Sequence, residues 1–338
     1  MASSGSGNGG CRRGCLMMLL GGVATLLLIG LFGVVVVGLL TGAGWEAQLG
    51  GGPEDERPRL KERWSYGSGT VKAVRIPLEG IILRERRSGF LAPQYDRVES
   101  VLRQIRAAAA DKAVRGILLE VESPGGVVGA CDEIRNALLE FRKGGDRQVV
   151  VWIRGMAASG AYYISVAGDW IVAQPASLVG SIGVLLSALN WSALSEKIGI
   201  TNVTIKSARY KDLLNPFREV EPEERQIVQR VVDSAHQMFM AAVAEGRGLE
   251  QSEVAALADG RIFVAEEAVR LGLVDEVGYW STAYRRLRER IGVQRLKLIR
   301  YEGSAGVLQF LASAARGMAP WGWEGFMMEP RLMYLWSP

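Results

Sequence analysis

From Leu16 to Leu40 the chain carries no charged side chain. At 1.5 Å per residue, a helix over that run is long enough to cross the ~30 Å hydrocarbon layer of a bilayer with some tilt. The run therefore divides the chain before any fold is considered. It exceeds the ~7–15-residue apolar core of a cleaved secretory signal, and no A-x-A-like site follows it directly, so it reads as an uncleaved anchor. Arg12 and Arg13 precede it, whereas Glu46, Glu54, Asp55 and Glu56 follow. The positive-inside rule then puts residues 1–15 in the cytoplasm and everything after Leu40 outside, as in a single-pass protein of the inner membrane. Residues 41–69 read as a Gly-, Glu- and Arg-rich linker, residues 70–301 as the folded domain and residues 302–338 as an apolar tail.

Within the folded domain, β-branched runs alternate with amphipathic stretches. Strands are expected over 71–78, 116–121, 149–153, 170–173, 183–187, 202–206 and 296–300. Helices are expected over 95–110, 127–142, 159–166, 191–197, 222–247, 252–259, 265–271 and 281–291. This alternation predicts an α/β fold with a largely parallel sheet. With 49% apolar and 22% charged residues there is ample material for a packed core.

Charge and composition exclude several function classes. The net charge is +4, and no stretch concentrates Lys and Arg with interleaved aromatics, which argues against a nucleic-acid partner. A single histidine, His236, cannot build a zinc site of the two-histidine kind, and no metal or cofactor is expected. Three cysteines make no disulfide framework, and Cys11 and Cys15 read as free thiols.

Two Gly-rich strings carry the chemistry. Glu122-Ser123-Pro124-Gly125-Gly126 ends one apolar strand and precedes a helix, leaving backbone N–H groups available to a developing oxyanion. The string Arg154-Gly155-Met156-Ala157-Ala158-Ser159-Gly160-Ala161 follows the next strand and also opens a helix. Two such turns on successive strand–helix units converge at the carboxyl edge of an open sheet, where ligands gather. A serine nucleophile needs a base. His236 sits on the apolar face of a helical stretch and reads as structural. A lysine can serve if desolvation lowers its pKa from ~10.4 toward neutrality, and both Lys206 and Lys211 are candidates on the residues alone.

The strings SPGG, GMAASGAYYIS, LVGSIGVL and KSARYKDLLNPFREVEPEER, in that order and spacing, resemble the signal peptide peptidase A (SppA) family of Ser–Lys peptidases. The resemblance covers residues 70–295. It implies a ClpP/crotonase-like superhelix of βαβ units, here carried behind the N-terminal transmembrane helix. It also implies Ser159 as nucleophile, Lys211 as general base and Ser181 as the serine that hydrogen-bonds the lysine. The oxyanion donors would be the amides of Gly126 and Gly160, with Gly125 a less certain third. Ala161 stands where a second glycine is common. Peptides, cleaved signal peptides first among them, would be the substrates, lying extended along an exposed strand edge. The short, single-copy form is similar to ring-shaped homo-oligomers, octamers among them, in which serine and lysine come from neighbouring subunits.

Other readings are a related Ser–Lys protease cutting one membrane partner, a crotonase-like acyl-transfer enzyme, and a non-catalytic scaffold. Extracytoplasmic placement opposes acyl-CoA chemistry, and Ser159 with Lys211 opposes the scaffold. The tail holds three of the nine tryptophans, Trp321, Trp323 and Trp336. It could pack against the oligomer, rest on the membrane surface or enter the chain's own substrate groove.

Overall fold

The computed structural model describes residues 58, 60–84, 96–302 and 331–335. Strands β1 (Lys61–Gly67), β2 (Lys72–Glu79), β3 (Val114–Ser123), β5 (Gln148–Ala158), β6 (Trp170–Ala173), β7 (Leu178–Gly180), β9 (Ile262–Val264), β10 (Glu276–Val277) and β11 (Lys297–Glu302) form one sheet. Its main path runs β1-β11-β2-β3-β5-β6-β10, with β7 joined to the end of β5 and β9 to β7. The pairs at its centre are parallel, whereas β1–β11 and β7–β9 are antiparallel. The expected mixed α/β architecture with a parallel-rich sheet is what the chain forms. A second sheet of three antiparallel strands takes β4 (Gly125–Val127), β12 (Arg331–Leu335) and β8 (Leu185–Ser187) in the order β4-β12-β8.

Helices cover both faces of the large sheet, which explains the near-continuous apolar runs of its central strands. Ile117, Leu118, Leu119 and Val121 of β3 are all fully buried. On one face α1 (Arg97–Ala110), α2 (Val128–Lys143), α3 (Gly160–Ser165) and α5 (Pro222–Arg247) supply Ile105, Leu138, Tyr162 and Phe239 to the main core. On the other, Ala283, Leu287 and Ile291 of α8 (Trp280–Ile291) pack with Leu118, Val150 and Val172. Each such fully buried aliphatic side chain contributes about 1.5–3 kcal/mol of transfer free energy. Short helices α4 (Ser192–Ile198), α6 (Gln251–Leu257) and α7 (Ala265–Arg270) complete the described body.

Helix ends follow local chemistry. The Asp96 carboxylate accepts from the amides of Val98 and Glu99 and so starts α1. α5 opens with Pro222 in its first turn and a reciprocal capping box between Glu221 and Glu224.

Three expectations are corrected. Residues 202–206 form no strand, and Val203 and Ile205 stand out in solvent. Their β-branched pattern has no strand partner among the described residues. The strand expected over 183–187 is shorter, β8 alone, and an unexpected strand, β7, precedes it across the 181–184 turn. β1 lies inside the segment read as linker, paired to β11, so the folded body starts earlier than residue 70. Among the described residues no helix is long and apolar enough to cross a membrane. The expected span 16–40, with Cys11 and Cys15 beside it, lies outside those residues.

Candidate active site

The ends of β3 and β5 bring the two Gly-rich turns together, with Ser123 paired to Ala157. β5 then continues beside β7, placing Ala158 opposite Gly180. Ser159 follows at the junction of β5 and α3 with φ 53° and ψ −119°, a region L residues occupy only under constraint. Its N–H donates to the Gly180 carbonyl at 2.7 Å, and its carbonyl accepts from the Tyr163 amide at 2.9 Å. The side chain is buried, and Oγ lies 3.5 Å from the Gly183 carbonyl, at the outer limit of a hydrogen bond. A hydroxyl held on a strained strand-to-helix turn is the geometry that nucleophilic serines use in unrelated α/β folds.

Glycine is required on both sides of this hydroxyl. A Cβ on Gly126 would overlap the Ile82 carbonyl, and one on Gly160 would stand 2.5 Å from Cys131 Sγ. Gly160 opens α3, so its N–H has no intrahelical acceptor. The Gly125 amide donates to Ser123 Oγ at 3.1 Å. Burial pushes the Cys131 thiol far up, so this cysteine is an inert wall rather than a second nucleophile.

Ser181 also has positive φ, 51°, and is buried, its N–H donating to the Arg261 carbonyl at 2.8 Å. Turn 180–183 therefore wraps Ser159. Lys211 differs: its side chain is exposed, and among the described residues it has no ion-pair partner. Lys206, the other candidate, is tied to Asp212 at 2.6 Å. Arg218 reaches both Asp212, at 3.0 Å, and the buried Glu224, at 2.5 Å. Arg218 and then Lys206 hold the Asp212 carboxyl far below the usual carboxylate range, and Arg218 holds Glu224 down in the same way. This network anchors the turn that carries Lys211 to the start of α5. It escaped the sequence reading because an Arg and two acids six residues apart look like any solvated surface. His236 lies midway along α5, its Nε2 buried without a hydrogen-bond partner among the described residues. Also among the described residues, no cluster of His, Cys, Asp and Glu could hold a metal ion.

The profile of peptidase family S49 matches residues 142–294, and that of Clp protease matches residues 80–177. The chain is 36% identical over 242 residues to a putative signal peptide peptidase SppA of Enterococcus faecium, covering 72% of this chain and 70% of that one. This chain belongs to peptidase family S49. A putative protease of Synechocystis is 35% identical over 216 residues, 64% of this chain and 73% of its own. Another, from Methanocaldococcus jannaschii, is 39% identical over 191 residues, 56% of this chain and 61% of its own. The chain is thus a serine peptidase, and the thioester-processing reading falls away.

Proposed function

We propose that this S49 peptidase is a membrane-anchored endopeptidase that cleaves extended peptides, released signal peptides above all, with Ser159 as nucleophile and Lys211 as base. The observation that carries the reading is Ser159 itself, held at positive φ where the two glycine turns meet. In the reaction Ser159 Oγ attacks the peptide carbonyl while Lys211 takes its proton. The amides of Gly126 and Gly160 stabilise the tetrahedral oxyanion. Lys211 gives the proton to the leaving amine, and water then hydrolyses the acyl-enzyme with the same base. Ser181 positions the lysine.

A lysine acts as a base only when its ammonium is stripped of water, and Lys211 is exposed in a single copy. Around it Leu194, Ile198, Ile200, Val203 and Ile205 are also exposed, more apolar surface than one soluble subunit usually shows in one segment. A ring of copies, of octamer size, would cover that arm and carry Lys211 to a neighbour's Ser159. The charge-free run 16–40 would tether the assembly on the outer side of the bilayer, where cut signal peptides remain.

The test is a fluorophosphonate probe on the full-length protein, followed by peptide mapping. The adduct is expected on Ser159, with labelling slowed at least 100-fold in Lys211→Ala. An adduct on another serine, or unchanged labelling in Lys211→Ala with loss in Lys206→Ala, would overturn the assignment.

A further inference from the structure

Ser123 opens the SPGG string and takes no part in the proposed reaction, yet it is only 1% exposed at the end of β3, opposite Ala157 of β5. Its Oγ accepts the Gly125 N–H at 3.1 Å, a side-chain bond to the amide two residues on. Pro124 between them has no N–H to offer. The bond therefore holds the chain at the first amide beyond β3.

The next peptide unit is held from the other side. The Gly125 carbonyl accepts from the Ile82 N–H at 2.9 Å, and the Ile82 carbonyl accepts from the Val127 N–H at 2.8 Å. The carbonyl and N–H of a trans peptide point in opposite directions, and no cis peptide occurs among the described residues. With its carbonyl turned to Ile82, the Gly125–Gly126 unit aims the Gly126 N–H the other way, toward the edge of β4 that pairs with β12. Gly125 alone links this unit to the Ser123 bond, and it sits at φ 103°, where the lack of a Cβ leaves it free to turn. A rotation there would swing the Gly126 N–H off its line. The second glycine turn lies against the same point, since a Cβ built on Gly125 would stand 2.7 Å from the Gly160 nitrogen.

We infer that Ser123 is a positioning residue of the oxyanion site: by holding the Gly125 amide it fixes the peptide that presents the Gly126 N–H, and it takes Gly125 itself out of the set of donors. The inference rests on Ser159 being the nucleophile and on Gly126 stabilising the oxyanion. Ser123 touches no reacting atom. It acts before substrate arrives, because a donor that must first be turned into line stabilises less of the charge as it develops. Alanine at this position leaves the buried Gly125 N–H without its acceptor, and the turn then gains by rotating toward another.

The experiment compares wild type, Ser123→Ala and Ser123→Cys as detergent-solubilised full chains. It measures kcat and KM on a labelled signal peptide, and the Ki of a peptide aldehyde of matching sequence, whose adduct with a serine carries the tetrahedral oxyanion. Removing one oxyanion donor slows acyl transfer by roughly 100- to 1000-fold, and misaligning it costs part of that. In Ser123→Ala kcat is expected to fall about 10- to 100-fold with KM within about 2-fold, and the aldehyde to bind more weakly by the same factor. Ser123→Cys keeps the shape with a weaker acceptor and is expected between the two, which also serves as the test where alanine does not fold. Wild-type kcat in both variants overturns the inference. So does a fall in kcat with the aldehyde bound as tightly as before, since damage outside the oxyanion site would read that way. Should Ser159→Ala retain cleavage, the nucleophile reading itself is wrong. Should Ser159→Ala be dead while Ser123→Ala cleaves at full rate, only the positioning role fails.

Discussion

At Ser159 the backbone is bent into φ 53° and ψ −119° and kept there by the Gly180 carbonyl, the Tyr163 amide and burial of the side chain. A non-glycine residue in such a region costs roughly 1–3 kcal/mol. The surrounding fold bears that cost, and the hydroxyl it holds lies 3.5 Å from the Gly183 carbonyl. Replacing the serine with glycine removes both the strain and the proposed nucleophile. Ser159→Gly is therefore expected to abolish peptide cleavage while raising the melting temperature by about 2–4 °C, read by calorimetry. A lower melting temperature would show that the conformation is not strained.

Among the elements, the turn that carries Lys211 depends on one guanidinium. Arg218 joins Asp212, the residue after Lys211, to Glu224 in the first turn of α5. Both carboxyls are held below their ordinary values. Groups depressed in the folded state contribute stability that is complete above the unfolded pKa, near 4, and is lost as the pH falls through the folded value. Arg218→Gln should thus melt roughly 2–4 °C below wild type at pH 7. The gap should narrow as the pH falls below about 4. A constant gap across that range would remove the network from the account.

The same scale shows what the sequence discloses. Strands β3, β5 and β6 are legible because burial on both faces demands near-continuous apolar runs, and β2 because Val74, Ile76 and Leu78 alternate with more exposed residues. The two glycine turns are legible because the strand before each and the helix after it are. β4 and β12 are not, since each is a few residues long and exists only through a partner far away in the chain. Residues 202–206 mislead for the opposite reason: they have the composition of a strand, and Val203 and Ile205 meet only solvent. For the tail the sequence offers three placements, and in the structure β12 pairs its Tyr334 with Gly126.

For the whole molecule, a single copy sets Ser159, the proposed nucleophile, where the two glycine turns meet but leaves Lys211, the proposed base, exposed in a stretch of chain with exposed Leu194, Ile198 and Ile200. The proposed ring resolves both facts at once, because the contact that buries the apolar side chains also desolvates the amine. A closed ring of identical copies makes each site a joint property of two chains. The most direct measurement is cleavage of a labelled signal peptide by co-expressed Ser159→Ala and Lys211→Ala chains, each inactive when assembled alone. Random assembly pairs an intact serine with a neighbour's intact lysine at roughly a quarter of the sites, and activity near that fraction of wild type is predicted. Mixed assemblies as inactive as either parent would contradict a dyad shared between copies.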